Sequence, residues 1–566
     1  MTKKVLIIIL FLISVRSSFG YEILPFEKLE KGMKGYSLTR WNNNEVKRFN
    51  IEVIGTLRNN PKSGVVIAKI NDEEISKTGV VAGMSGSPVY IDGKLAGAIA
   101  FTWNFLKEPI VGITPIEEMI KLRDYEEKTV SLPSDFKYTT PILLSGLSKQ
   151  TKEFLEEKFK DKNLTLIDSF SLFLSRYSQN KSLPEENKII KENPFKEGDA
   201  IGINLVSGDV EITAIGTVTL VESNKIFGLG HPAFLGGKVE IPVSEVEILT
   251  IVPRQDISFK VGIPKNIVGT MKFDGSSGIF AEIGQIPKTI ELSVNVDNEL
   301  YYYNIANVKE LFPTLLPAVL SESILRTKGI FGEGNIEINC NIGFKFEGVE
   351  NKFSIDFKDI IPVYSKNIGY SLSISDVASI IDFLIYNPVF KANIDKIHVS
   401  INTKPVDIGF ITFIIPSKQE VSPGEKLKIT VGIKKFRDEI ITREFELKIP
   451  NWVKPGTKIT IGAMNKATRA IQKLTSFPES MTFDTYEKLY KFIYQDLRVE
   501  KLLVFVEIPS VNFAIGGYTY NLLPNYLSTS FLSNPKNKNT IPYTIEEESL
   551  EDFPITGSAS TYIFVK

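Results

Sequence analysis

The chain has 566 residues, with 66 Lys plus Arg against 67 Asp plus Glu, for a net charge of −1. That length exceeds what one hydrophobic core can serve and implies about three or four domains. The balanced charge, without a basic tract, excludes nucleic acid or an acidic lipid surface as the implied partner.

At the N-terminus, Lys3 and Lys4 precede an apolar run over 5–13, and Ser18 and Gly20 are small residues spaced for cleavage before Tyr21. This pattern reads as a signal peptide over 1–20. The protein is therefore expected to be exported, to the periplasm or outside the cell. Membrane attachment is expected only through an uncleaved signal anchor, because the run is short for a span.

Residues 21–130 read as short strands, among them 51–57 and 64–70. Residues 83–88 are Gly-Met-Ser-Gly-Ser-Pro, followed by a strand, Asp92-Gly93 and a second strand. Asp-Gly between alternating apolar residues is a strong hairpin signal. A serine between two glycines, braced by a hairpin, suits a nucleophile whose backbone must approach a carbonyl closely. Thr114, Pro115 and Glu117 read as the capping-box start of a helix. Residues 131–196 read as a polar, helical connector.

Strands return over 197–365. His231 sits there in Gly-Leu-Gly-His-Pro, a shaped turn after an apolar strand. His398, the other of the two histidines, alternates onto the polar face of a strand and reads as a surface residue. A serine hydroxyl needs a base, and His231 is the candidate. Cys340 is the single cysteine, which precludes an internal disulfide. Its place on the apolar face of a strand over 336–342 makes it structural. Residues 366–408 read as a helix-and-strand linker with a helix over 375–386. An Ig-like β-sandwich is expected over 409–462. An α+β region over 463–566 follows, with helices over 463–474 and 485–497. No His, Cys or carboxylate grouping has metal spacing and no phosphate loop is present, so neither metal nor cofactor is expected.

Two separated stretches resemble the SpoIVB-type serine peptidases, a family of the chymotrypsin-like clan. The segment over 78–98 looks like the family's serine motif. The segment running from Ile215-Gly-Thr to Gly230-His-Pro232 looks like its histidine motif. The resemblance implies a mainly β fold with α+β parts, built on a chymotrypsin-like double β-barrel. The serine half would be 21–130 and the histidine half 197–365. It also implies a secreted serine endopeptidase acting on protein or peptide substrates, with Ser85 as nucleophile and His231 as base. The backbone N–H groups of Gly83 and Ser85 would form the oxyanion hole.

The chain departs from the family at three points. Ser85 precedes His231, whereas the family's named members have the histidine first. Either the halves are permuted around one site, or the two segments sit in separate domains and catalysis is lost. The family's acid precedes its serine motif, and Asp72 is the nearest match, with Asp274 and Asp209 as rivals. A dyad oriented by a carbonyl or hydroxyl is a further option. No PDZ-like segment precedes the serine region. The alternative function is a catalytically inactive, peptidase-like envelope protein that acts as a binding scaffold.

Overall fold

The computed structural model describes residues 22–566 except 61–62, 104–105, 125–138, 169–191, 235–236, 330–331, 349, 364–366, 374, 387–391, 477–484, 516–517 and 521–539. The signal-peptide reading falls outside the described residues. Among those described, no helix is long and apolar enough to cross a membrane.

The fold is mainly β, as expected. Seven strands open it: β1 (Lys34–Arg40), β2 (Val46–Asn60), β3 (Ser63–Asn71), β4 (Val81–Ala82), β5 (Pro88–Ile91), β6 (Lys94–Thr102) and β7 (Ile110–Pro115). All but β4 form a closed barrel in the order β1-β2-β3-β7-β6-β5. The β5–β6 hairpin turns on Asp92 (φ 50°) and Gly93 (φ 76°), the two left-handed residues that a tight hairpin demands. The barrel is filled by Phe49, Ile51, Val66, Ala68, Val89 and Val111, all buried.

The next strands are β8 (Thr140–Ser145), β9 (Leu164–Asp168), β10 (Ala200–Gly208), β11 (Glu211–Glu222), β12 (Lys225–Gly228), β13 (Gly237–Val252), β14 (Ser258–Gly275) and β15 (Gly278–Ile283). Pairing runs β10-β13-β14-β15-β12-β11, and β10 pairs again with β11, so six strands return on themselves. β8 extends this ring from β11, and β9 pairs with β8 in parallel. On its other side the sheet continues through Glu299–Ala306, Thr289–Val296, Ala392–Lys404, Gly334–Phe346 and Lys352–Val363.

Three local expectations are corrected. The connector read as helical over 131–196 is helical only over Lys149–Phe159 among its described residues, because Thr140–Ser145 is buried throughout and pairs with β11. Thr114 is not a helix cap: it lies within β7, Pro115 takes the cap position of the helix Ile116–Ile120 without a side-chain cap, and the Thr114 hydroxyl is used elsewhere. The helix expected from 463 begins at Lys466, because Asn465 accepts from the Thr468 N–H at 2.7 Å and the residues before it remain in a strand.

The C-terminal part has two facing sheets. One contains Gly409–Pro416, Lys426–Lys435, Ile440–Lys448 and Ile555–Thr556. The other is centred on Lys458–Asn465, Lys501–Ile515 and Ser558–Val565. Val431, Ile433, Ile461, Val504 and Ile563 fill the space between them.

The first barrel and the strand ring meet where β4 pairs in parallel with β14, Val81 opposite Ser258 and Ala82 opposite Phe259. Beside this pairing, Gly86 has φ +95°, and a Cβ placed on it would lie 1.9 Å from the Thr217 carbonyl oxygen and 2.4 Å from the Leu229 nitrogen. Backbone on both sides of that position cannot yield. Gly86→Ala is therefore expected to destabilise the protein by about 3 kcal/mol or more. Urea unfolding checks this, and an unchanged midpoint would contradict the packing described.

Candidate functional site

The serine loop joins β4 to β5. Inside it, the N–H of Met84 donates to Val81, that of Gly86 to Ile99 and that of Ser87 to Met84. The Ser87 hydroxyl also donates to the Met84 carbonyl at 2.6 Å. None of these bonds uses the N–H of Gly83 or Ser85. Gly83 (φ +98°) and Gly86 take left-handed conformations on either side of Met84 and Ser85, which makes the turn sharp. Ser85 is half-buried and lines a cleft of about 730 Å³, together with Ala82, Phe101, Trp103 and Arg254.

β11 holds this loop from the other side. The Thr217 N–H donates to the Ser85 carbonyl at 2.8 Å, and the Thr217 hydroxyl donates to the Gly83 carbonyl at 2.8 Å. The Thr219 hydroxyl donates to the Gly86 carbonyl at 2.7 Å. Thr217 and Thr219 are two apart in a strand, so their side chains share a face. Both are fully buried, as is Thr213 earlier in the same strand. The sequence signal for this contact is the Thr-Val-Thr alternation at 217–219.

The histidine loop follows β12 and reaches the same strand. The Leu229 N–H donates to the Thr217 carbonyl at 3.2 Å. Leu229 has φ +66°, a strained conformation for a branched side chain, held by complete burial over Gly216. A side chain on Gly230 would lie 3.2–3.3 Å from the methyls of Ala98 and Ala100 in β6. The Gly230 carbonyl accepts from the Thr114 hydroxyl at 2.6 Å, which is where that threonine is used. The serine and histidine segments, more than a hundred residues apart in sequence, thus both lie against β6 and Thr217.

His231 is fully buried, and its Nδ1 lies 2.8 Å from the Pro232 carbonyl oxygen. A carbonyl only accepts, so Nδ1 carries the proton and Nε2 is left basic. Burial pushes the imidazole pKa down to about 4, keeping the ring neutral at ordinary pH.

The three carboxylates considered from sequence lie in different places. Asp72 caps the helix Glu73–Thr78 by accepting from the Ile75 N–H at 2.9 Å, and pairs with Lys47 at 3.2 Å. Asp209 accepts from the Tyr302 N–H at 2.7 Å, at a strand junction. Asp274, fully buried near the end of β14, accepts from the N–H groups of Ala233 and Phe234, each at 2.7 Å. Of the three, Asp274 is the one bonded to the histidine loop.

Lys260, on β14, is also fully buried here. Its ammonium donates to the hydroxyls of Thr39 at 2.6 Å and Thr217 at 3.3 Å, and burial alone pushes its pKa down to about 7. His398 is the histidine that contacts a serine hydroxyl directly, its Nδ1 2.5 Å from the Ser293 Oγ. That pair sits on paired strands of an exposed sheet face, with no sharp turn to converge amides on a substrate.

The neutral, buried state of His231 has a measurable consequence. Above pH 6.5 the ring is neutral in both folded and unfolded chains. Between 6.5 and about 4 only the unfolded chain takes up the proton, so stability falls as pH falls through that window. The expected loss is about 3 kcal/mol. His231→Gln should flatten this part of the stability–pH curve. Parallel curves for the two proteins would place His231 in a solvated setting instead.

The sequence profile of the SpoIVB peptidase S55 family matches residues 21–120. The match spans the whole first barrel and contains Ser85, bearing out the resemblance over that stretch; His231 lies beyond it. No curated protein and no solved structure matches the chain.

Proposed function

We propose that the protein is an exported serine endopeptidase of the SpoIVB type, with its histidine half following its serine half in a permuted double barrel. The observation that carries this is the junction at Thr217, where backbone bonds on one residue bind both the Ser85 and the Leu229–His231 segments. It favours one permuted site over two separate domains.

In this reading Ser85 Oγ attacks the carbonyl carbon of a peptide bond while its proton passes to Nε2 of His231. The Gly83 and Ser85 N–H groups receive the developing oxyanion. The imidazolium then returns its proton to the departing amine, and a water deprotonated by His231 hydrolyses the acyl-enzyme. The Pro232 carbonyl fixes the ring's tautomer, the orienting task that a triad aspartate performs elsewhere. Asp274 holds the loop on which the ring is mounted, which favours it over Asp72 and Asp209 as the supporting acid. The cleft beside Ser85 has room for several residues of an extended peptide.

The complete burial of His231 favours the alternative, a non-catalytic envelope protein that kept the peptidase fold as a binding module. A fluorophosphonate probe decides between them. The peptidase reading expects one covalent label on Ser85, mapped by mass spectrometry, absent in Ser85→Ala. It also expects labelling to be slowed about a thousandfold or more in His231→Gln, with casein cleavage lost in both variants. Folded wild-type protein that neither labels nor cleaves would establish the scaffold.

A further inference from the structure

The strand that faces the serine loop across the barrel junction carries a cation with no part in the chemistry just described. Lys260 is fully buried, and the partners described for its ammonium are two hydroxyls, those of Thr39 and Thr217. An ammonium buried among hydroxyls is costly, and an apolar residue of equal length would fill the space more cheaply. Its contacts indicate what the charge does there.

The Lys260 Nζ donates to Thr217 Oγ1 at 3.3 Å, and Thr217 Oγ1 in turn donates to the Gly83 carbonyl at 2.8 Å. A threonine hydroxyl rotates to suit its partners. With its lone pairs facing the ammonium, its one hydrogen is directed to Gly83. The lysine stem completes the arrangement: a Cβ on Gly83 would sit 3.0 Å from Lys260 Cδ and 3.2 Å from Cγ, so the stem lies directly over the Gly83 backbone. The Thr39 hydroxyl, 2.6 Å from Nζ, anchors the ammonium from β1 of the first barrel.

We propose that Lys260 is a positioning residue for the nucleophile: acting through the Thr217 hydroxyl, it fixes the Gly83 peptide and so the Gly83 and Ser85 amides beside the Ser85 hydroxyl. The proposal rests on the peptidase reading of Ser85. It assigns Lys260 no proton-transfer role, because its ammonium is committed to two threonines. Its lowered pKa reflects the cost of keeping it in this place.

The test compares fluorophosphonate labelling rates at Ser85 in wild type, Lys260→Met, Thr217→Val, Thr217→Ser and the Lys260→Met/Thr217→Val double variant. Lys260→Met is expected to label at least tenfold more slowly while its thermal midpoint stays level or rises, since a buried charge has been removed. A merely structural lysine would lower both together. Thr217→Val should be slowed similarly, and Thr217→Ser should recover most of the rate because the hydroxyl is retained. The double variant should be no slower than the slower single one, since both changes break the same chain. Wild-type labelling in Lys260→Met, or a double effect equal to the product of the singles, would overturn the proposal. Should Lys260→Met fail to fold, the Thr217→Val and Thr217→Ser pair decides. Should the wild type not label at all, the peptidase reading fails separately. Hydrogen exchange over 82–88 then decides: at least tenfold faster exchange in Lys260→Met sustains the positioning role, and unchanged exchange ends it.

Discussion

The site depends on one residue of β11. Thr217 uses its N–H for the Ser85 carbonyl, its carbonyl for the Leu229 N–H and its hydroxyl for the Gly83 carbonyl. The two loops that carry the candidate nucleophile and base are thereby fixed relative to each other through a single peptide plane on each side of one Cα. Gly86 permits the approach, since any side chain there would collide with the Thr217 carbonyl oxygen. Chain order does not matter to such a junction. The strand that carries Thr217 could precede or follow the serine loop in sequence and make the same bonds.

The junction is polar and buried, and groups of that kind are tolerated only when each has a partner. The described contacts meet that demand in a consistent pattern: threonine hydroxyls satisfy the carbonyls of Gly83, Gly86 and Gly230, and Asp274 satisfies the amides after Pro232. Short hydroxyl side chains suit this role because they reach neighbouring backbone without disturbing the strand that bears them. Burial that makes the bonds strong also holds His231 neutral, the protonation state a base requires.

Much of this was legible in the sequence. The Gly-Met-Ser-Gly-Ser-Pro loop, the Asp-Gly hairpin and the shaped turn at His231 are local features, and local chemistry specifies them. The mainly β character followed from strand periodicity and turn residues. Other features were not legible, for reasons that can be named. Thr114 precedes a proline and a glutamate, a pattern that mimics a capping box, while its actual partner is 116 residues away. Ser258, Lys260 and Gly262 alternate on one face of β14, and a face of Ser, Lys and Gly reads as solvent-exposed until a second barrel is packed against it. Thr140–Ser145 is too short to separate a strand from a helix by period alone. In each case the deciding contact is long-range, and a single sequence does not encode it locally.

The most direct measurement of the central claim is a crystal structure of the protein after reaction with a fluorophosphonate. The expected result is a phosphorus bonded to Ser85 Oγ, one of its oxygens about 2.7–3.1 Å from the backbone nitrogens of Gly83 and Ser85. His231 Nε2 should lie about 3 Å from the Ser85 oxygen, with Thr217 still bonded to both loops. A structure in which His231 faces away from a modified Ser85, or in which another serine carries the phosphorus, would contradict it.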